Sequence, residues 1–381
     1  MVLKVVRLES LLLMVHKQKI LSTNHFIRFD LGNFCNLKCP SCFRQAQTKL
    51  WNKEHPYLSK PVKKHPYLDK THVTLDQVTN WFPEDFMRKR IGTLVFNGAS
   101  SEPTLNPEFM EILNYFHDLV PNIEVSTHGS TRNEDWWYNL GKTKIYPLFS
   151  IDTLTPGNEL YRIGANTEKI KKNIRAFAAG GGKGAVKLIL FKHNQHEIGA
   201  FREFCKEIGQ DFSIRPSYDF SGDKTSYEVT NDGRTYTLEK NTTEDLQRNQ
   251  PRRLTDPDPN SFCHLTFKKM IIIHCNGLVY PCCHIEGEFF RMYERYFTYE
   301  NPSPKPRKYN ERLYDDIVSK IEQQGGITTL SLKHHTLEEV MTSPFFDHVL
   351  QDSWADGSNQ TCLNCKTWKA EKTREKFSYI S

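Results

Sequence analysis

Residues 35–42 read Cys-Asn-Leu-Lys-Cys-Pro-Ser-Cys, which places Cys35, Cys39 and Cys42 at C-x3-C-x2-C on one short loop. The loop directly follows Phe26–Leu31 (FIRFDL), whose apolar and aromatic content predicts a strand. Three thiolates on one loop can wrap three corners of a cubic iron–sulfur cluster and leave the fourth iron without a protein ligand. Open positions of this kind are where metal sites bind and activate a further molecule. Zinc would recruit a fourth Cys or His, and the run itself contains none, although His25 precedes it.

Outward from this loop, strand-like and helix-like stretches alternate over the first 220 residues. Thr74–Arg90 reads as a helix with a Thr74/Gln77 capping box, and Thr93–Asn97 as a strand. Pro107–Val120 reads as a helix with proline in its first turn. Ile123–Thr127 is a strand, Asn133–Leu140 a short helix and Lys144–Asp152 a strand. Thr167–Ala179 is a helix stopped by glycines, then Val186–Phe191 a strand, His196–Ile208 a helix and Phe212–Pro216 a sixth strand. Strands separated by helices imply a parallel sheet wound in one hand. Six units fall short of the eight of a closed barrel. The expected class is therefore α/β, a partial (β/α)6 TIM-like barrel followed by a small β-hairpin-plus-helix domain.

The barrel is expected over 1–220, with a basic, loop-like insertion at 45–73. That insertion repeats HPYLSK (55–60) as HPYLDK (65–70), which reads as a surface duplication more readily than as a lid. Residues 221–260 are polar and read as a linker. The second domain spans 261–381, holds six of the ten cysteines and is split by a polar insertion at 293–326.

Composition narrows the class. The chain has 381 residues, 38% of them hydrophobic with 20 glycines besides, which excludes a mainly disordered chain. A net charge of +6 suits anionic small ligands as well as it suits nucleic acid. No uncharged run approaches the ~20 apolar residues of a membrane span. The apolar patch at 11–15 follows Lys4, Arg7 and Glu9 and has no small-residue cleavage site after it, so it reads as a packed element rather than a targeting signal. A cytoplasmic, reducing compartment is expected, in which the cysteines serve as metal ligands or buried thiols.

The three-cysteine loop resembles the signature of radical S-adenosylmethionine (radical SAM) enzymes, which carry C-x3-C-x2-C after the first strand of a partial barrel. Further motifs follow in order at the ends of the strands, where barrels of this kind place their sites. Asn97-Gly98-Ala-Ser-Ser101-Glu102-Pro103 looks like the family's Gly-Gly-Glu-Pro turn, which holds the SAM amino group, with Ser101 where a second glycine is usual. Ser126-Thr-His128-Gly129 is similar to the turn near the SAM ribose. Ser150-Ile-Asp152 with Arg162 resembles the segment that approaches the SAM hydroxyls and carboxylate, and Phe191-Lys-His-Asn194 is again similar to a family pattern. The resemblance implies adenine contact at Ser41, whose place is often aromatic, with Phe43 just after it.

The second cysteine set is Cys263, Cys275, Cys282, Cys283 and the pair Cys362/Cys365. Met270–Cys283 reads strand, Asn276-Gly277 turn, strand. A helical stretch, Thr336–Gln351, precedes the C-x2-C pair. Four thiolates make a closed site, and spacing alone allows zinc and an iron–sulfur cluster equally. The run from Cys263 through Gly277 to Cys282 resembles the start of the SPASM/Twitch extension of radical SAM enzymes. That resemblance implies one auxiliary [4Fe–4S] cluster on Cys263, Cys282, Cys362 and Cys365. Cys283 points away from Cys282 on a strand, and Cys275 and Cys205 read as packed thiols.

A radical SAM enzyme of this type would reductively cleave SAM to a 5′-deoxyadenosyl radical and abstract a hydrogen atom from its substrate. Oxidation or cross-linking of a peptide or small molecule is the expected outcome, with an electron donor such as flavodoxin or ferredoxin and no membrane partner. The competing class is a zinc-stabilised nucleic-acid-binding protein. No alternation of aromatic and basic residues supports a stacking platform for nucleic acid, and that reading leaves the open three-cysteine loop unexplained.

Overall fold

The computed structural model describes residues 25–42, 44–45, 71–97, 101–220, 224–231, 233–243, 270–282, 321 and 323–350. One eight-stranded sheet has the order β10-β9-β1-β2-β3-β4-β5-β6, in which β9 is Met270–Ile273 and β10 is Val279–Tyr280. Its first six strands are β1 (His25–Phe29), β2 (Ile91–Phe96), β3 (Asn122–Thr127), β4 (Tyr146–Ser150), β5 (Ala185–Leu190) and β6 (Asp211–Pro216). They lie side by side in chain order, and β3 to β6 pair in parallel. This is the open α/β winding expected of a partial barrel, with a small hairpin added at one edge.

By contact density the chain divides into two compact units. One holds Phe29–Thr74 and Val95–Arg253. Its helices α3 (Phe109–His117), α4 (Glu134–Gly141), α5 (Thr167–Ala179) and α6 (Ile198–Glu207) each bury an apolar stripe. Phe96 meets Phe109 and Phe116; Phe149 meets Trp137 and Phe177; Phe212 stacks on Phe201. Asn133 and Asn166 cap α4 and α5 by accepting the backbone N–H groups of Trp136 and Lys169. Helices α4 and α5 touch backbone to backbone. A Cβ on Gly141 would strike the Phe177 carbonyl, and one on Gly180 the Tyr138 carbonyl.

The same unit corrects the reading of 221–260. Residues 226–239 form an antiparallel hairpin, β7 (Ser226–Asn231) and β8 (Arg234–Glu239), where a polar linker is expected. Val229 and Leu238 bury against Tyr161, Phe191 and Phe220. Tyr236 donates its hydroxyl hydrogen to the Leu160 carbonyl at 2.6 Å. Two buried apolar side chains in an otherwise polar ribbon give a weak signal, and the surface that buries them comes from distant residues.

The other unit comprises Met1–Arg28, Leu75–Leu94 and Leu254–Ser381. The single helix expected over Thr74–Arg90 is two, α1 (Leu75–Trp81) and α2 (Glu84–Arg90). Pro83 sits at the break with φ −59°, and its missing N–H cannot continue the hydrogen-bond ladder. Strands β9 (Met270–Ile273) and β10 (Val279–Tyr280) form the expected hairpin and are buried throughout. The turn is a three-residue loop rather than a two-residue one. His274 N–H donates to the Leu278 carbonyl at 3.0 Å, Gly277 N–H donates to the His274 carbonyl at 2.9 Å, and Gly277 takes φ 86°. Helix α7 (Leu337–Met341) opens on a Thr336/Glu339 capping box. The helix expected over Thr336–Gln351 is interrupted near Pro344 and resumes as a π turn over Phe345–Val349. Among the described residues no helix is long and apolar enough to cross a membrane.

Candidate functional site

The three-cysteine loop leaves the sheet just beyond β1 and is held from both sides. Lys38 N–H donates to the Ile163 carbonyl at 2.9 Å, and Glu102 N–H to the Phe34 carbonyl at 2.9 Å. Arg44 donates from Nη1 to the Cys35 carbonyl at 3.0 Å. Cys42 N–H closes a turn on the Cys39 carbonyl at 3.1 Å, and Leu37 N–H points at Cys35 Sγ at 3.4 Å.

All three thiols are half-buried. Burial, then the nearby Glu102 carboxylate, pushes the Cys35 thiol up to about 12. Burial pushes Cys39 up to about 11, against the pull of Arg162. Cys39 and Cys42 each raise Cys35 further. Among the described residues no three His, Cys, Asp or Glu side chains are gathered into a metal-holding group. The donor set nonetheless fits an iron–sulfur cluster. It offers three soft sulfur donors on one loop, partly withdrawn from water, whose thiolate charges oppose one another unless a cation joins them.

Behind the loop lies a buried network at the ends of β2 and β3. Glu102 Oε1 accepts from Thr127 Oγ1 at 2.6 Å, from Thr104 Oγ1 at 2.7 Å and from Thr104 N–H at 3.3 Å. Its Oε2 accepts His128 N–H at 2.9 Å. Nδ1 of His128 accepts from Ser130 N–H at 3.1 Å, and Nε2 faces Glu102 Oε2 at 3.2 Å. Burial pushes the His128 pKa down, although Glu102 opposes it. The ring is therefore assigned as neutral with its proton on Nε2. The Glu102 carboxylate is occupied in joining two strand ends, so this side chain positions the turn. Ser101 Oγ is buried with no hydrogen-bond partner among the described residues.

At the end of β4, Asp152 and Arg162 form a buried ion pair. Arg162 Nε lies 2.8 Å from Asp152 Oδ2, and Nη2 donates to Oδ1 at 3.3 Å. Burial alone would lower the Arg162 pKa; the Asp152 carboxylate outweighs it and the net direction is up. Oδ1 also accepts Ile189 N–H at 3.0 Å. Asn158 accepts Asp152 N–H at 2.8 Å, and Asn194 Nδ2 donates to the Asp152 carbonyl at 2.8 Å. Asn158 is a positioning residue that sequence patterns did not single out. A buried asparagine has no period, and only its partners identify it.

Of the residues expected at the site, Cys35, Cys39, Ser41, Cys42, Ser101, Glu102, Ser126, His128, Ser150, Asp152 and Arg162 all lie in the unit that contains 29–74 and 95–253. Phe43, Gly98, Cys263, Cys362 and Cys365 lie outside the described residues, as do Cys283 and most of the insertions at 45–73 and 293–326. Cys282 follows β10 and is half-buried. Cys205 and Cys275 are buried.

Sequence patterns also missed a cavity of about 420 Å³ beside the cysteine loop. Lys38, Pro40 and Ser41 form one wall, and Tyr227–Asn231 of β7 form another.

Residues 30–205 match the family model of the Radical SAM superfamily. A GTP 3′,8-cyclase from Vibrio parahaemolyticus serotype O3:K6 (strain RIMD 2210633) is 25% identical over 190 residues. That match spans 48% of this chain and 51% of the cyclase, about half of each. Among solved structures, Streptococcus suis SuiB bound to S-adenosylmethionine aligns at TM-score 0.47 and 19% identity, over 70% of this chain and 62% of SuiB. Native anSMEcpe with bound AdoMet aligns at TM-score 0.46 and 14% identity, over 89% of this chain and 86% of that one.

Proposed function

We propose that the radical SAM domain carried by residues 30–205 makes this chain an enzyme that cleaves SAM reductively and abstracts a hydrogen atom from a peptide or small-molecule substrate. The observation that carries this reading is the half-buried C-x3-C-x2-C loop at the end of β1, backed by the Glu102–His128 network and the Asp152–Arg162 pair. Cys35, Cys39 and Cys42 would hold a [4Fe–4S] cluster, which when bound supplies the single electron that splits the SAM sulfonium.

The chain's own residues then bind and orient SAM. Arg162, neutralised on one side by Asp152, would offer its remaining donors to the SAM carboxylate. Asp152, locked by Ile189 and Asn158, keeps that guanidinium in place. His128 and Glu102 fix the turns after β2 and β3, and the neutral His128 ring adds no positive charge of its own there. Ser41 and Phe43, Gly98, Ser101, Ser126 and Ser150 complete the proposed SAM contacts.

We further propose one auxiliary [4Fe–4S] cluster on Cys263, Cys282, Cys362 and Cys365, serving as an electron acceptor in an oxidation or cross-linking reaction. A flavodoxin or ferredoxin would supply electrons in a reducing cytoplasm.

Oxygen-free purification with iron and sulfide analysis tests both clusters. The expected content is about eight irons per chain for two [4Fe–4S] clusters. Cys35→Ala, Cys39→Ala and Cys42→Ala should each abolish 5′-deoxyadenosine formation from SAM and dithionite. Survival of that product in all three variants, or colourless protein containing only zinc, would overturn the reading.

A further inference from the structure

Three neighbouring parallel strands present polar side chains on one face. The register pairs Ser150 with Lys187 and Lys187 with Ser213, and Ile189 with Arg215. Their immediate neighbours Phe149, Val186 and Phe212 pair with one another and face the helices: Phe149 packs on Trp137 and Phe177, and Phe212 on Phe201. Because side chains alternate along a strand, Ser150, Lys187, Ser213 and Arg215 face away from the helices, toward the inside of the winding. Lys187 and Arg215 are diagonal neighbours there, within reach of one ligand.

This inner face carries charge that the protein does not balance. Lys187 is half-buried and makes no hydrogen bond or ion pair among the described residues. The charges that act on it are those of Arg162, Asp152 and Arg215. Asp152 is already taken by Arg162 and the Ile189 N–H. Arg162 is balanced by Asp152, so Lys187 and the solvent-exposed Arg215 are the two positive charges left without an ion pair among the described residues. Burial, and then Arg162, push the Lys187 ammonium down to about 8, and the Asp152 carboxylate offsets only part of that. A mid-strand lysine in that position costs stability and contributes no packing that an apolar residue would not. A ligand that brings negative charge explains its presence.

We propose that Lys187, Arg215 and Ser213 form a binding site for the phosphoryl group of a phosphorylated small-molecule substrate. A phosphoryl dianion matches the two charges of Lys187 and Arg215, and the Ser213 hydroxyl beside Lys187 supplies a donor for its oxygens. The SAM carboxylate is already assigned to Arg162, which leaves Lys187 and Arg215 for a second ligand. The site deepens the function proposed above by naming a substrate class. It rests on that reading for the reaction but not for the binding.

The test is a calorimetric titration of inorganic pyrophosphate into the full chain. The expected result is one saturable site, weakened about ten-fold or more by Lys187→Met. Lys187→Arg should largely restore it. Lys192→Met, which removes an exposed ammonium paired with Glu239, should leave it unchanged. Should Lys187→Met fail to fold by circular dichroism, Arg215→Met takes its place with the same expected loss. No saturable binding by the parent chain, or equal binding by Lys187→Met, overturns the site. Tighter binding of malonate than of pyrophosphate overturns the phosphoryl assignment. The titration needs neither cluster nor turnover, so its failure leaves SAM cleavage standing, and loss of SAM cleavage leaves the site standing.

Discussion

Asp152→Asn should loosen the end of β4 and β5 by a calculable amount. Asp152 is fully buried and Arg162 only 8% exposed, so the pair is shielded from solvent screening. The substitution keeps an oxygen for the Ile189 N–H but removes the charge facing Arg162 Nε at 2.8 Å. Breaking one side of a buried ion pair costs about 3–5 kcal/mol, because the other charge stays buried and uncompensated. The retained Ile189 bond offsets about 1 kcal/mol of that. The remaining cost of about 3 kcal/mol is roughly a hundred-fold in the local opening equilibrium. Hydrogen–deuterium exchange of peptides covering Ala185–Leu190 in the full chain reads this directly. Adding Arg162→Met to Asp152→Asn should recover part of the protection, since no orphan charge then remains. Exchange in Asp152→Asn within two-fold of the parent, or a double variant exchanging faster than the single one, would refute the reasoning.

Two further outcomes follow from the same unit. Burial lowers the His128 pKa below its ordinary 6.5, so the folded chain binds fewer protons there than the unfolded chain. Its contribution is complete above about pH 6.5 and is lost as the pH falls below it; urea midpoints should drop more steeply from pH 6.5 to 5 in the parent than in His128→Gln, and parallel slopes would sink the assignment. Gly141→Ala should lower the thermal midpoint, because its Cβ meets the Phe177 carbonyl and overpacking costs about 1–3 kcal/mol. Gly199→Ala, where a Cβ meets nothing within 4 Å on helix α6, should raise the midpoint, and a fall equal to that of Gly141→Ala would show that space is not the cause.

How much of this was readable in advance differs by element. Each of the six sheet strands β1 to β6 lies within a few residues of its expected place, because an apolar run between turn residues is a local signal. The hairpin at Asn276-Gly277 was legible for the same reason, although the loop length was not: glycine at φ 86° serves either turn, and strand pairing decides between them. The β7–β8 hairpin was hidden by its polarity, since Val229 and Leu238, with the half-buried Tyr227 and Tyr236, are interleaved with polar residues. Pro83 splits the helix expected over Thr74–Arg90, and the helical period on either side of it conceals the break.

Spacing alone brought Cys35, Cys39 and Cys42 onto one loop, because residues three and four apart on a short loop are neighbours whatever the rest of the chain does. It also set the alternation that gives Lys187 and Phe149 opposite faces. Tertiary structure alone decided which face is inside, which charges meet there and which remain unbalanced. Asp152 and Arg162 are ten residues apart and Lys187 is on another strand, and only the winding of the sheet carries them into one poorly solvated space, with Arg215 exposed beside it. Coulomb energy depends on distance and local dielectric, and neither can be read along the chain.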